Sequence, residues 1–267
     1  MTNPSSFNPS VRYIRSFLRQ TIYGSNMKCP ECFSYRVVTY GKRYRCRECC
    51  NRFSFLSCTW LSWSKLSLPD LWKVLWCFVH AIPIKQAQQM THLSEKAIRH
   101  WYDACRDQLI RIDTKLKGKI QVDEVYLGGW GGRVVIAGKS LDTKEVRFHI
   151  CMGDRPTQID SYLFFYKYIT EHSYIFTDSS PIYPKVCKHF SCFHHQDTHA
   201  QFEFSKTSQI EGLFGNLRTF VRRTYHHITL LKLPEYLVEF QYRFSRKKYF
   251  TSVEQFLLFT ISSVTSG

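Results

Sequence analysis

Acidic residues are scarce in this chain of 267: 21 Asp and Glu stand against 37 Lys and Arg, a net charge of +16. Such a balance disfavours a cationic partner and favours a polyanion, because each phosphate neutralised releases condensed counterions. No uninterrupted apolar run reaches the roughly 18–20 residues that span a bilayer, so no membrane partner is expected. The opening MTNPSSFNPSVRYIRS lacks the apolar core of a signal peptide. The expected location is therefore the cytoplasm, where thiols stay reduced. Internal repeats and low-complexity tracts are missing as well. Apolar residues, at 44%, and aromatics, at 16%, are plentiful enough for a substantial core. Cysteine is plentiful too, and eleven thiols in a reducing compartment call for a metal wherever their spacing is regular.

Residues 1–27 hold one amphipathic stretch, FNPSVRYIRSFLRQTIY, expected as a short helix. Across 28–58, Cys29, Cys32, Cys46 and Cys49 give C-x2-C-x13-C-x2-C, with RVVTY-GK-RYR between them as a hairpin. Two facing knuckles of this kind present four thiolates in a tetrahedron, the arrangement of one structural Zn²⁺ site in a zinc ribbon. Cys50 adjoins the last of the four and competes with Cys49 for its place. Seven Lys or Arg between 28 and 52 also let the ribbon touch DNA. Residues 66–112 read as three helices. PDLWKVLWCFVHA has Pro69 at its start, IKQAQQM is short, and SEKAIRHWYDACRDQLI follows the turn THL with Ser94 as N-cap. A short helix, a three-residue turn and a longer helix is helix-turn-helix spacing. Ala97, Ile98, Trp101, Cys105 and Leu109 are expected inward, with Lys96, Arg99, His100 and Arg106 outward toward DNA.

From Gly118 the period changes to that of strands: KIQVDEVYL, RVVIAGKSL and EVRFHICM, then a helix DSYLFFYKYI, then the strand SYIFTD. Three strands, a helix, a strand and further helices is the order of an RNase H-like α/β domain, expected over 118–250 with a C-terminal tail at 251–267. Asp123 lies in the first strand, Asp178 at the end of the fourth, and Glu211 on the later helix SQIEGLFGNLRTFVRRTYHH. In such a sheet the first and fourth strands are neighbours and that helix crosses them. Three acids converging in a basic chain repel one another unless cations bind. Two Mg²⁺ ions, with Mn²⁺ able to substitute, are the expected occupants. Glu124 competes with Asp123, since side chains alternate along a strand and only one of the two is expected in the site. On the helix, Glu211, Phe214, Arg218 and Arg222 recur as one stripe, with the arginines placed to hold phosphates. A further cluster, Cys187, His189, Cys192, His194, His195 and His199, fits no closed tetrahedral spacing and reads as a polar loop.

Four stretches, VDEVYLGG, IFTDSSPIY, IEGLFGNLRTFVRRTYHH and LPEYLVEFQYRFSRK, together resemble the zinc-ribbon-bearing bacterial insertion-sequence transposases. Their catalytic part is the ISXO2-like DDE domain, and the resemblance runs over nearly the whole chain. It implies Asp123, Asp178 and Glu211 as catalytic acids, with Arg218 where the family usually has Lys. It further implies that Arg222, Arg223, His226 and His227 face DNA. The implied partner is double-stranded DNA: terminal inverted repeats bound by the ribbon and helical module, and target DNA attacked by a 3′-OH freed at the element end. A homodimer or larger assembly on nucleoid DNA is expected. Ser208 stands where the family has Asn, Leu213-Phe214 where it has Phe-Trp, and Ser245 where it has an amide. These departures frame the alternative expectation, a catalytically decayed or domesticated copy acting as a zinc-dependent DNA-binding regulator.

Overall fold

A computed structural model describes residues 6–41, 43–127, 132–196, 208–225, 229 and 231–261. The chain divides into two compact units, Met1–Gln108 with Lys248–Gly267, and Leu109–Lys247. The first unit begins with α1 (Val11–Tyr23), where Ser10 Oγ accepts from the Tyr13 N–H and Ile14, Leu18 and Ile22 line the buried face. A small antiparallel sheet follows, β1 (Val37–Tyr40), β2 (Arg43–Cys46) and β3 (Arg52–Phe53). Three helices complete this stretch: α2 (Leu68–Val79), α3 (Ile84–Thr91) and α4 (Glu95–Asp107). Ser67 and Ser94 cap the first and third through their hydroxyls, and Pro69 sits in the first turn of α2. α3 ends on His92 in the left-handed conformation, φ 59°, which turns the chain sharply into α4.

Ile98, Trp101, Cys105 and Leu109 are buried, while Lys96, Arg99 and His100 are exposed. Arg106 departs from the expected outward placement: it is 6% exposed and paired with Asp103. The buried arc of α4 is wider than the five expected positions. It includes Tyr102, one turn before Arg106, whose hydroxyl donates to the Ile82 carbonyl at 2.8 Å. An arginine on that arc meets protein, so Arg106 is withdrawn from the DNA-facing set.

In the second unit, the strands β4 (Lys119–Leu127), β5 (Arg133–Ser140) and β6 (Val146–Ile150) form an antiparallel meander. α5 (Gln158–Tyr168) then crosses to β7 (Tyr174–Thr177), which pairs parallel to β4. α6 (Pro184–His189) leads to β8 (Phe193–Gln196), parallel to β7. The resulting order β6-β5-β4-β7-β8 is that of an RNase H-like sheet. α7 (Ser208–Thr224) and α8 (Leu233–Ser245) follow. Alternation along β4 and β5 sorts the core into two layers. Ile120, Val122, Val134 and Ile136 pack with Phe164, Phe165, Tyr168, Val186 and Tyr183 on one face. Val125, Leu127, Val135 and Ala137 pack with Leu213, Phe214, Leu217, Leu237 and Phe240 on the other. Gly138 allows the close approach of α5, because a Cβ there would lie 2.7 Å from Phe164 Cζ. The segment expected as a polar loop is instead α6 and β8: Cys187 is buried, the His194 ring meets Thr177 Oγ1 at 2.9 Å, and His195 stacks on Phe176. His199 lies outside the described residues.

The segment expected as a tail contains α9 (Val253–Thr260), capped by Ser252 and assigned to the first unit. Phe256 is fully buried, its ring 5.5 Å from Phe78 and 6.4 Å from Trp60. Tyr13 adds a hydroxyl donated to Glu254 at 2.9 Å. Among the described residues no helix is long and apolar enough to cross a membrane. Because Phe256 joins the start and end of the chain, Phe256→Ala should destabilise the first unit by about 3–5 kcal/mol. Thermal unfolding read through the tryptophans, five of which lie at 60–101, measures this; a shift near zero would mean that α9 is not part of that core.

Candidate active site

The register of β4 and β7 places the site. Lys119, Ile120 and Gln121 stand opposite Tyr174, Ile175 and Phe176, so the same register carried on by two residues sets Asp123 beside Asp178. β7 ends at Thr177, and the turn beyond it is fixed by the Ser180 N–H donating to Asp178 Oδ1 at 3.0 Å. Oxygens of Asp123, Glu124 and Asp178 all lie within 4.8 Å of one another. This corrects the expectation that only one of the two neighbouring acids enters. Alternation does send Asp123 to the α7 face and Glu124 to the α5 and α6 face. The ladder of β7 has ended at that level, however, and the longer Glu124 side chain reaches the same place past the strand end.

Burial is the first cause that pushes both acids up, Asp123 to about 6 and Glu124 to about 7. The Asp178 charge adds to both shifts; Glu211 raises Asp123 a little further and Asp123 raises Glu124, while the Glu124 side chain lowers Asp123. The Glu124 N–H, donating to Asp123 Oδ1 at 2.7 Å, works against the rise at Asp123. Tyr183, 0% exposed, opposes it at Glu124. Its hydroxyl interacts with the Glu124 carboxylate, although the geometry stops short of a well-formed hydrogen bond. Ser180 Oγ is 3.5 Å from Glu124 Oε1. Three crowded oxygen donors, two of them holding protons more tightly than usual, have the donor set and spacing that a hard divalent cation accepts. Ser180 and Tyr183 were not singled out from the sequence. Their only signal was position, two and five residues after Asp178.

Glu211 is exposed in the first turn of α7 and stands outside this close trio, though its charge reaches Asp123 as the smallest contribution there. Arg218, Arg222 and Arg223 are exposed on the same helix. Phe214 does not join that stripe: it is buried against the sheet with Ile210, Leu213, Leu217 and Val221. At about 100° per residue, Glu211, Arg218 and Arg222 fall within about 40° of one another, and Phe214 lies on the side turned to the core. His226 and His227 lie outside the described residues, as do Gly128 and Gly129 of the motif after Asp123.

In the first unit, Cys29, Cys32, Cys46 and Cys49 gather with their sulfurs within 4.8 Å. The Cys29–Cys49 and Cys32–Cys46 sulfurs are 3.5 Å apart. Tetrahedral bonds of about 2.3 Å would set sulfurs about 3.8 Å apart, so the four thiols fit one metal ion. The Glu48 N–H points at Cys46 Sγ from 3.3 Å, which favours a thiolate. Cys50 takes no part; its backbone is left-handed, φ 59°, and its sulfur accepts from Arg45 at 3.5 Å. Arg99 pairs with Glu95 at 2.7 Å on the exposed face of α4.

The raised acids also fix a pH dependence for protein free of Mg²⁺ and Mn²⁺. Folded values of about 6 and about 7 exceed the ordinary 3.8 and 4.5, so the folded state keeps protons that the unfolded chain has released. The stability contributed here is complete below pH 4 and declines as pH rises through 6 and 7. Glu124→Gln should remove part of that decline. The melting temperature of the variant should therefore gain on wild type between about pH 5 and pH 8, and a difference independent of pH would refute the assignment.

Residues 115–245 match the profile of the ISXO2-like transposase domain. No curated protein sequence matches the chain. Among solved structures, the catalytic core domain of BIV integrase aligns at 10% identity with a TM-score of 0.37, over 49% of this chain and 86% of its own. The simian T-cell lymphotropic virus intasome, in complex with PP2A regulatory subunit B56 gamma, aligns at 11% identity and a TM-score of 0.37, over 60% and 67%. Both likenesses are shallow, and the assignment rests on the profile together with the acids it encloses. Residues 115–245 form an ISXO2-like transposase domain.

Proposed function

We propose that this chain is a DNA transposase that cuts at the ends of an insertion sequence and joins the freed ends to target DNA. The observation that carries the reading is the meeting of Asp123, Glu124 and Asp178 within 4.8 Å in a chain of net charge +16. Like charges are brought together there while cationic side chains predominate elsewhere, a division suited to divalent cations on one side and phosphates on the other. Two Mg²⁺ ions, or Mn²⁺ in their place, supply Lewis acidity to the attacking and leaving oxygens of an in-line phosphoryl transfer. Asp123 and Asp178 hold them, with Glu211 contributed from α7. Arg218 and Arg222 grip the phosphates flanking the reacting one and orient the strand. In the first step a water oxygen attacks phosphorus and the 3′ oxygen leaves as a hydroxyl. In the second, that hydroxyl attacks a target phosphodiester and a target 3′ oxygen leaves. The second step makes one phosphodiester for each one broken, so it needs no added energy source.

The first unit provides DNA recognition in this reading. Lys96, Arg99 and His100, exposed on α4, face the terminal repeats, and the ribbon, held by one Zn²⁺ on Cys29, Cys32, Cys46 and Cys49, adds a basic surface. Purified protein should contain about one zinc per chain by elemental analysis, and Cys29→Ser should lose the metal and the ribbon's fold. Stoichiometric zinc retained by that variant would remove Cys29 from the ligand set.

The catalytic half is tested with the full chain and a duplex carrying an element end. Glu211→Gln and Asp123→Asn should abolish Mg²⁺-dependent nicking and joining while leaving end binding in place. Arg218→Ala should slow the reaction by about 10²- to 10³-fold, the effect of losing one charged donor, and Arg218→Lys should recover much of it. Wild-type protein that binds end DNA yet never nicks it in Mg²⁺ or Mn²⁺ would instead establish the regulator.

A further inference from the structure

The geometry points to Glu124 as a cation ligand in its own right, completing with Asp123 and Asp178 a binding seat independent of Glu211, and to Tyr183 as the residue that positions it. This rests on the divalent-cation reading of the site and goes beyond it, since that reading takes its third carboxylate from α7.

Two successive residues of a strand have no reason to share a site, because the pleat sends them to opposite faces. Asp123 keeps company with Val125 and Leu127, Glu124 with Ile120 and Val122. Their carboxylates nevertheless come together with that of Asp178 within 4.8 Å. A structural acid at the position of Glu124 would gain by turning away from two like charges.

Tyr183 supplies an independent reason for its staying. The ring is fully buried among apolar groups that include Val186, Cys187 and Phe190, a setting in which phenylalanine would serve the packing equally well. Its hydroxyl has no well-formed hydrogen bond there and is aimed at Glu124, and burying such a group is costly. Ser180 Oγ stands by the same carboxylate at 3.5 Å. Glu124 thus stands beside two hydroxyls as well as two carboxylates. A ligand oriented from behind by hydroxyl donors is the usual outer support of a metal site. All of these residues come from β4 and the turn between β7 and α6, so the seat needs nothing from α7. Glu211, exposed on α7, is then free to act at the second cation when DNA is present.

The test is a Mn²⁺ titration of the zinc-loaded full-length protein without DNA, with free Mn²⁺ read by electron paramagnetic resonance. Wild type should show one tighter site. Glu124→Gln and Tyr183→Phe should each weaken it by roughly 10- to 100-fold, the phenol less than the carboxylate, while Glu211→Gln leaves it within about twofold. In magnesium-free buffer Glu124→Gln should melt at or above the wild-type temperature, since it removes a buried like charge. A lower melting temperature would make Glu124 a structural group and overturn the inference. So would wild-type affinity in Glu124→Gln when Asp123→Asn and Asp178→Asn are weakened, an outcome that leaves the function proposed above intact. A wild type with no Mn²⁺ site, or one indifferent to Asp123→Asn, would bring down the cation reading itself.

Discussion

The parallel pairing of β4 with β7 sets two acids side by side at the end of a sheet, and the cost of that juxtaposition shapes what surrounds it. At 4 Å and an effective dielectric of about 20, each pair of like charges costs about 4 kcal/mol. A domain's entire net stability is of the order of 5–15 kcal/mol. The fold meets the cost in two ways. Apolar layers on both faces of β4 and β5 hold the strands in register, and without cations Asp123 keeps its proton up to about pH 6 and Glu124 up to about pH 7. Both apolar layers draw on β4, so neither can shift without moving an acid.

α7 shows how one helix serves packing and chemistry together. Ile210, Leu213, Phe214, Leu217 and Val221 tie it to the sheet and leave a polar side bearing one acid and several arginines. Lys139, on β5, donates to the Gln209 carbonyl at 3.1 Å, a tether two residues before Glu211. The carboxylate is therefore attached to the same sheet as Asp123, though it stands outside the trio of Asp123, Glu124 and Asp178.

Much of this was legible in the sequence because it is periodic or locally spaced. The cysteine knuckles, the helix starts at Pro69 and Ser94, and the strands carrying Asp123 and Asp178 depend on neighbours a few residues away. Failures arose where distant contacts decide. Arg106 sits at a helical position that could face either way, and only the packing of Tyr102 beside it buries that edge. Cys187, His194 and His195 read as loop because α6 and β8 are too short to show a period. Glu124 was misjudged for a sharper reason: strand alternation is a rule about ladders, and it fails where the neighbouring strand stops. Phe214 fell in the wrong stripe because three residues turn a helix by about 300°, enough to cross from the polar side to the core.

The return of α9 to the first unit makes the second unit an insertion within it. During synthesis the ribbon and the helices α1 to α4 leave the ribosome first, yet the apolar surface around Phe78 and Trp60 stays uncovered until Phe256 has been made. The second unit, whose residues are contiguous, can close before the unit that begins the chain. A chain interrupted between Lys247 and α9 would carry a complete second unit on a first unit whose core is still open.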